Sequence, residues 1–241
     1  MDIKGVIVND TSKIITAFTE HFQNIYSIEP VDKDIQLTFL DHCREISQSD
    51  QEFLETPFTI DELKCALDST QNNKSPGPDG LTFEFYKAFS PQICPLLLRL
   101  YSDAIKTGQL PTKFNEAFIT LLPKKTENNS SVNDYRPISL LNTDYKLLTK
   151  MIFLRLKPFI TDLIGQDQYC SNPDRNIDEM THFLRDFISY CKETNLNAAP
   201  LSIDQEKAFD RVDHSFLFQV IDKCKIGSYL SNLIKLLQCY Q

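Results

Sequence analysis

With 241 residues and 41% hydrophobic side chains, the chain is long enough for one large core or two small ones. Its net charge of −8 argues against a general nucleic-acid binder, which carries a basic face, so any grip on a nucleic acid has to be local. No apolar run approaches the roughly 20 residues that span a bilayer and no signal-peptide pattern opens the chain, so the expectation is a soluble intracellular protein of nucleus or cytoplasm, without a membrane partner.

In chain order, the first periodic stretch is 11–26. Ile14, Ile15, Phe18, Phe22 and Ile25 recur at helical spacing behind Asp10 or Thr11 as cap, which reads as a packing helix. Residues 28–50 are polar and irregular, with a weak helical patch near Ile35–Cys43, and read as a linker. Thr59 and Glu62 form a capping box, with Phe58 and Leu63 as its hydrophobic staple, ahead of a helix from Ile60 to about Ser69. The run Pro76-Gly77-Pro78-Asp79-Gly80 is neither helix nor central strand and reads as a rigid surface turn. A short aromatic helix is expected over 81–89. A second begins at Ser90-Pro91 and stops at Gly108.

Phe118–Leu122 reads as a strand reaching a basic tip at Lys124 and Lys125. Asp134–Leu141 is its return strand, with Pro137 at an edge. Residues 143–160 form the clearest helix: Tyr145, Leu148, Ile152, Leu156 and Phe159 share a face. Lys146, Lys150, Arg155 and Lys157 decorate it, as a nucleic-acid contact or as a solvated face. A loop follows to Arg175, then an amphipathic helix over 177–192 and two more, from about Ser215 and Ser228. The 7 cysteines are scattered, without a C-x-x-C pair, and read as reduced core thiols rather than a zinc site. The 4 histidines show no metal-ligand spacing.

Residues 201–214 read LSIDQEKAFDRVDH: a short apolar strand ending in Asp204, with Asp210 six residues on. A carboxylate on a rigid strand tip can hold a hard divalent cation, and such a cation can clamp phosphate oxygens. The alternative is a solvated acid at a turn. Asp-x-x-Lys-Ala-Phe-Asp after an apolar strand resembles the first catalytic palm motif of LINE-type (non-LTR) retrotransposon reverse transcriptases. KSPGPDG at 74–80, LLPK at 121–124 and YRPISLL at 135–141 occur in that family in the same order. The family's Gln-x-Gly-Phe-x-Pro-Gly-Arg pattern survives as Gln168, Pro173 and Arg175. Cys170, Ser171 and Asp174 stand where Gly, Phe and Gly are expected.

The resemblance implies an α+β fold, mostly helical, as a partial right-hand polymerase with short antiparallel strands. It implies a helical lead-in and linker (1–55), a fingers-like region (56–199) and the start of a palm (200–241). It implies two-metal nucleotidyl transfer with Mg2+, on an RNA template, a DNA primer and deoxynucleoside triphosphates. By resemblance, Asp204 is the catalytic aspartate and a metal ligand, and the backbone carbonyl of Gln205 is a further ligand. Lys124 and Arg136 grip the triphosphate, and Phe209 excludes a 2′-hydroxyl; its bland alternative is a core aromatic. Lys207 belongs to the motif, and Asp210 takes a structural role. The hairpin tip is expected to approach Asp204.

The family's second catalytic motif, an aromatic-Ala-Asp-Asp turn, does not occur in these 241 residues. The expectation is therefore the front part of a reverse transcriptase. It is inactive by itself, with an unpaired strand edge at Asp204 and incomplete cover over Phe216, Leu217, Val220, Ile221, Leu233, Ile234 and Leu237. The other reading is a degenerate or repurposed module that binds nucleic acid or protein without catalysis.

Overall fold

Short polar side chains start most of the helices. The computed structural model describes residues 2–3, 6–7, 9–27, 30–124, 129–165, 167–170 and 175–238, the first two pairs by backbone alone. Lys125, Ser171, Pro173, Asp174 and Cys239 lie outside them. A two-residue ribbon of β1 (Asp2–Ile3) and β2 (Val6–Ile7) precedes α1 (Thr11–Ile25), where the Asp10 side chain accepts from Ser12 N at 2.9 Å. Asp32 caps α2 (Lys33–Leu40) and Ser47 caps α3 (Gln48–Leu54). The linker expected over 28–50 is thus partly helical: Ser47 supplies a cap acceptor, and burial of Leu54 fixes the turn against the core.

The capping box of α4 (Ile60–Asp68) forms in full, with Thr59 Oγ1 accepting from Glu62 N and Glu62 Oε2 from Thr59 N. After α5 (Phe83–Ala88), α6 (Ser90–Thr107) ends at Gly108, whose φ of 69° closes the helix in the left-handed region. β3 (Ala117–Pro123) and β4 (Tyr135–Leu141) form an antiparallel hairpin in which Leu122 faces Arg136 and Pro123 faces Tyr135. α7 (Thr143–Leu163), α8 (Ile177–Glu193), α9 (His214–Lys223) and α10 (Ser228–Gln238) complete the chain. The fold is mostly helical with small antiparallel ribbons. Among the described residues no helix is long and apolar enough to cross a membrane.

The core lies where α4 meets α6 and α7, with α10 laid on α6. Leu63, Leu67, Tyr101, Leu147, Leu148, Leu230 and Leu233 are fully buried there. Glu55 holds α10 in place. Its carboxylate accepts from the amides of Ser228 and Tyr229, donors that an α-helix start leaves open. Burial works to raise its pKa, but those bonds outweigh it and hold the carboxyl below the usual range. The incomplete cover expected for Leu233 and Leu237 is therefore corrected: both are buried, because α6 and Tyr145 supply the surface.

Arg155 is a second correction. It stands on the supposedly solvated side of α7, yet its side chain is 2% exposed. Nε and Nη2 donate to the two oxygens of Glu62 at 2.8 and 2.6 Å, and Nη2 also donates to Pro57 O. The guanidinium sits 4.0 Å from the Phe58 ring centre. Glu62 thus closes the capping box and neutralises a buried cation at once. Burial pushes its pKa up, but the Arg155 and Thr59 bonds prevail and lower it. The described cysteines form no disulfide, as read, but among them only Cys94 and Cys224 are buried.

Two elements lack the burial that their patterns implied. α8 buries no residue. The strand expected at 200–204 is irregular, with Leu201 and Ile203 each 83% exposed. A strand exists by virtue of its ladder, and among the described residues none lies beside it.

Candidate functional site

The loop 204–211, the hairpin tip and α1 meet around a cavity of about 350 Å³. Lys124, Tyr135, Arg136 and Pro137 line it from the hairpin, His21, Phe22 and Ile25 from α1, and Asp204, Gln205, Glu206, Lys207 and Asp210 from the loop. Four of the five residues singled out in the sequence, Lys124, Arg136, Asp204 and Gln205, therefore share one cleft. Phe209 does not: it is 97% exposed and outside the lining. It is not the core aromatic of its bland alternative. A hollow of similar volume near the end of α6, about 340 Å³, carries only Asp103 as a charged wall and has no comparable chemistry.

Local structure explains the convergence. Ser131 caps a tight turn at Val132–Asp134, and Lys124 N donates to Asp134 O at 2.7 Å. This closes the hairpin with Lys124 and Arg136 near one end. α1 docks on the same end through Phe18, packed edge-on to Tyr135 at 5.3 Å between ring centres. The loop reaches α1 through Lys207, whose Nζ is 3.3 Å from His21 Nε2. Burial, then the charges of Lys207 and Lys124, lower the His21 pKa, with Glu206 opposing. Burial and Asp210 raise that of Tyr26, the residue just past the end of α1.

The contribution of α1 was missed in the sequence. Its aromatic stripe announced packing but not on what, and a lone His21 has no spacing that marks it. Gln168 and Arg175 lie elsewhere and hold their own loop, Arg175 Nη1 donating to the carbonyls of Gly165 and Gln168.

The PGPDG turn is clamped against the base of the hairpin. A Cβ on Gly77 would stand 2.4 Å from Asn142 N, so only glycine permits this approach. Asp79 N donates to Asn142 Oδ1 at 3.2 Å, and Lys146 Nζ to Ser75 O at 3.1 Å. Lys146, expected free on a helix face, is thus engaged.

The oxygen donors of Asp204 and Gln205 suit a hard cation such as Mg2+. Their number does not suit a metal pair. Among the described residues no three His, Cys, Asp or Glu side chains are grouped as ligands, and one carboxylate with one carbonyl cannot fill two coordination shells.

The order of motifs, and a cleft that pairs hairpin cations with the motif aspartate, define the class. Residues 122–240 match the reverse transcriptase (RNA-dependent DNA polymerase) family, and this part of the chain belongs to it. Its relatives are of the non-LTR retrotransposon kind. It is 38% identical over 96% of its length to the transposon TX1 uncharacterized 149 kDa protein of Xenopus laevis, covering 18% of that protein. It is 26% identical over 71% of its length to the RNA-directed DNA polymerase from mobile element jockey of Drosophila melanogaster, covering 20% of it. It is also 26% identical over 74% of its length to the Pol polyprotein of the type-1 retrotransposable element R2 of Popillia japonica, covering 24%. The chain thus spans about a fifth of the length of the relatives it matches.

Proposed function

We propose that this chain forms the nucleotide-facing portion of an RNA-directed DNA polymerase of a non-LTR retrotransposon, acting in the cell interior. In this reading residues 1–55 are a lead-in, 56–199 belong to the fingers and 200–241 begin the palm of a right-hand polymerase. The observation that carries it is the single cleft shared by Lys124, Arg136, Asp204 and Gln205. Lys124 and Arg136 bind the triphosphate of an incoming deoxynucleotide, Arg through its two-pronged fork. Asp204 and the Gln205 carbonyl are the oxygen ligands offered here to Mg2+, which in polymerases clamps phosphate oxygens during in-line displacement. Phe209 is the steric gate against a 2′-hydroxyl, once a neighbouring structure turns it inward. An RNA template and a DNA primer are the remaining partners.

The test is reconstitution. The chain is joined to a complete palm carrying the second aspartate motif, and extension of a primed RNA template is followed with magnesium. Template-dependent DNA synthesis that vanishes in Asp204→Asn, with the fold kept, supports the assignment. Synthesis unaffected by that change refutes it. Phe209→Ala should admit ribonucleotides; equal discrimination by variant and parent removes the gate.

A second reading, a module that binds without catalysis, draws on the exposure of Phe209 and the absence of a ladder at 200–204 among the described residues. Nucleic-acid binding that persists while the reconstituted protein fails to extend any primer would favour it.

A further inference from the structure

We propose that His21 is a positioning residue of the cleft: it accepts a hydrogen bond from Lys207 and holds that ammonium as a third cation, beside Lys124 and Arg136, for a triphosphate. The inference rests on the reading of the cleft as a nucleoside triphosphate site.

The contact itself sets the roles. Lys207 Nζ and His21 Nε2 are 3.3 Å apart. An ammonium has donors only, so Nε2 must offer its lone pair and the ring proton sits on Nδ1. Burial and the charges of Lys207 and Lys124 favour this neutral ring. The groups around it are Lys207, Lys124 and Glu206, with Arg136, Asp204 and Asp210 completing the charged lining.

The backbone gives the contact a purpose. Lys207 has a φ of 54°, in the left-handed region that a residue with a Cβ adopts at a cost. The loop around it is largely exposed. Left free, the long Lys207 side chain would sample many rotamers, and fixing it on binding would cost affinity. His21 restricts it in advance, and α1 is itself docked on β4 through Phe18 and Tyr135. The N-terminal helix, the hairpin and the motif loop are thereby joined at the point where the three cations line one cavity.

The test uses the full 241-residue chain with Mg2+, titrated with a deoxynucleoside triphosphate and with inorganic tripolyphosphate. His21→Ala and Lys207→Ala should each weaken both ligands about tenfold, the value of one hydrogen bond to a charged group. The double variant should bind like Lys207→Ala alone, because His21 acts through Lys207. His21→Gln, whose carbonyl can still accept from the ammonium, should recover binding to within about threefold of the parent. His21→Ala that binds like the parent overturns the proposal, as do losses that multiply in the double variant. A loss confined to the nucleotide and absent for tripolyphosphate overturns it too. A parent that binds neither ligand sinks the cleft reading along with it; a binding parent with unaffected variants sinks only the role of His21. Lys207→Ala, in a loop outside the core, and His21→Gln keep the test decisive should His21→Ala unfold.

Discussion

α7 and α8 are both long helices with an apolar face, and they end up in opposite surroundings. α7 buries Tyr145, Leu147, Leu148, Met151 and Ile152, and even its Arg155 is enclosed. α8 buries nothing; Phe183 and Ile188 remain exposed on the face that its pattern marks for a core. The difference lies in the partners. α7 packs on α4, whose Glu62 meets Arg155, whereas no residue of α8 is buried by the described elements. A helical stripe states that a face suits burial; it does not supply the surface that buries it. The same contrast separates β4, which has β3 beside it, from residues 200–204, which have no ladder.

This contrast can be broken at several points. Arg155→Ala should have the largest effect. It leaves Glu62 without its partner and strips donors from the carbonyls of Thr56 and Pro57, at a cost of about 3 kcal/mol. Urea unfolding measures it, and a loss under about 1 kcal/mol would mean that the enclosure of α7 does not depend on this pair. Glu55→Ala removes the acceptor at the start of α10 and should cost about 1–2 kcal/mol, read from the same curves. An unchanged midpoint would show that apolar burial alone holds α10.

Asp144, in the first turn of α7, should respond to pH. Burial, and then Asp79, push its carboxyl up to about 6 from 3.8. The native state therefore holds a proton that the unfolded chain has already released, and stability falls as pH rises through that window. Asp144→Asn should add about 1 kcal/mol above pH 6 and nothing near pH 3, less than the gap in pKa implies because the carboxyl reaches water. Equal gains at both pH values would refute the ionisation argument. The smallest effects belong to the open region: Phe183→Ser and Ile203→Ser should each change stability by under about 0.5 kcal/mol. A cost of several times that would reveal cover over α8 or the motif segment.

The sequence by itself was enough for the local elements. The caps at Asp10 and Thr59, the stop at Gly108 and the strands around Lys124 are set by side chains a few residues apart, and that information is contiguous. The motif order also pointed to the family, since it too is linear. Tertiary structure alone decided which patterned faces are covered. Arg155 reads as solvated until Glu62, 93 residues away, encloses it; α3 reads as linker until Leu54 enters the core. The place of His21 beside Lys207 depends on a contact across 186 residues. Burial and ion pairing depend on what lies opposite in space, and no local pattern carries that.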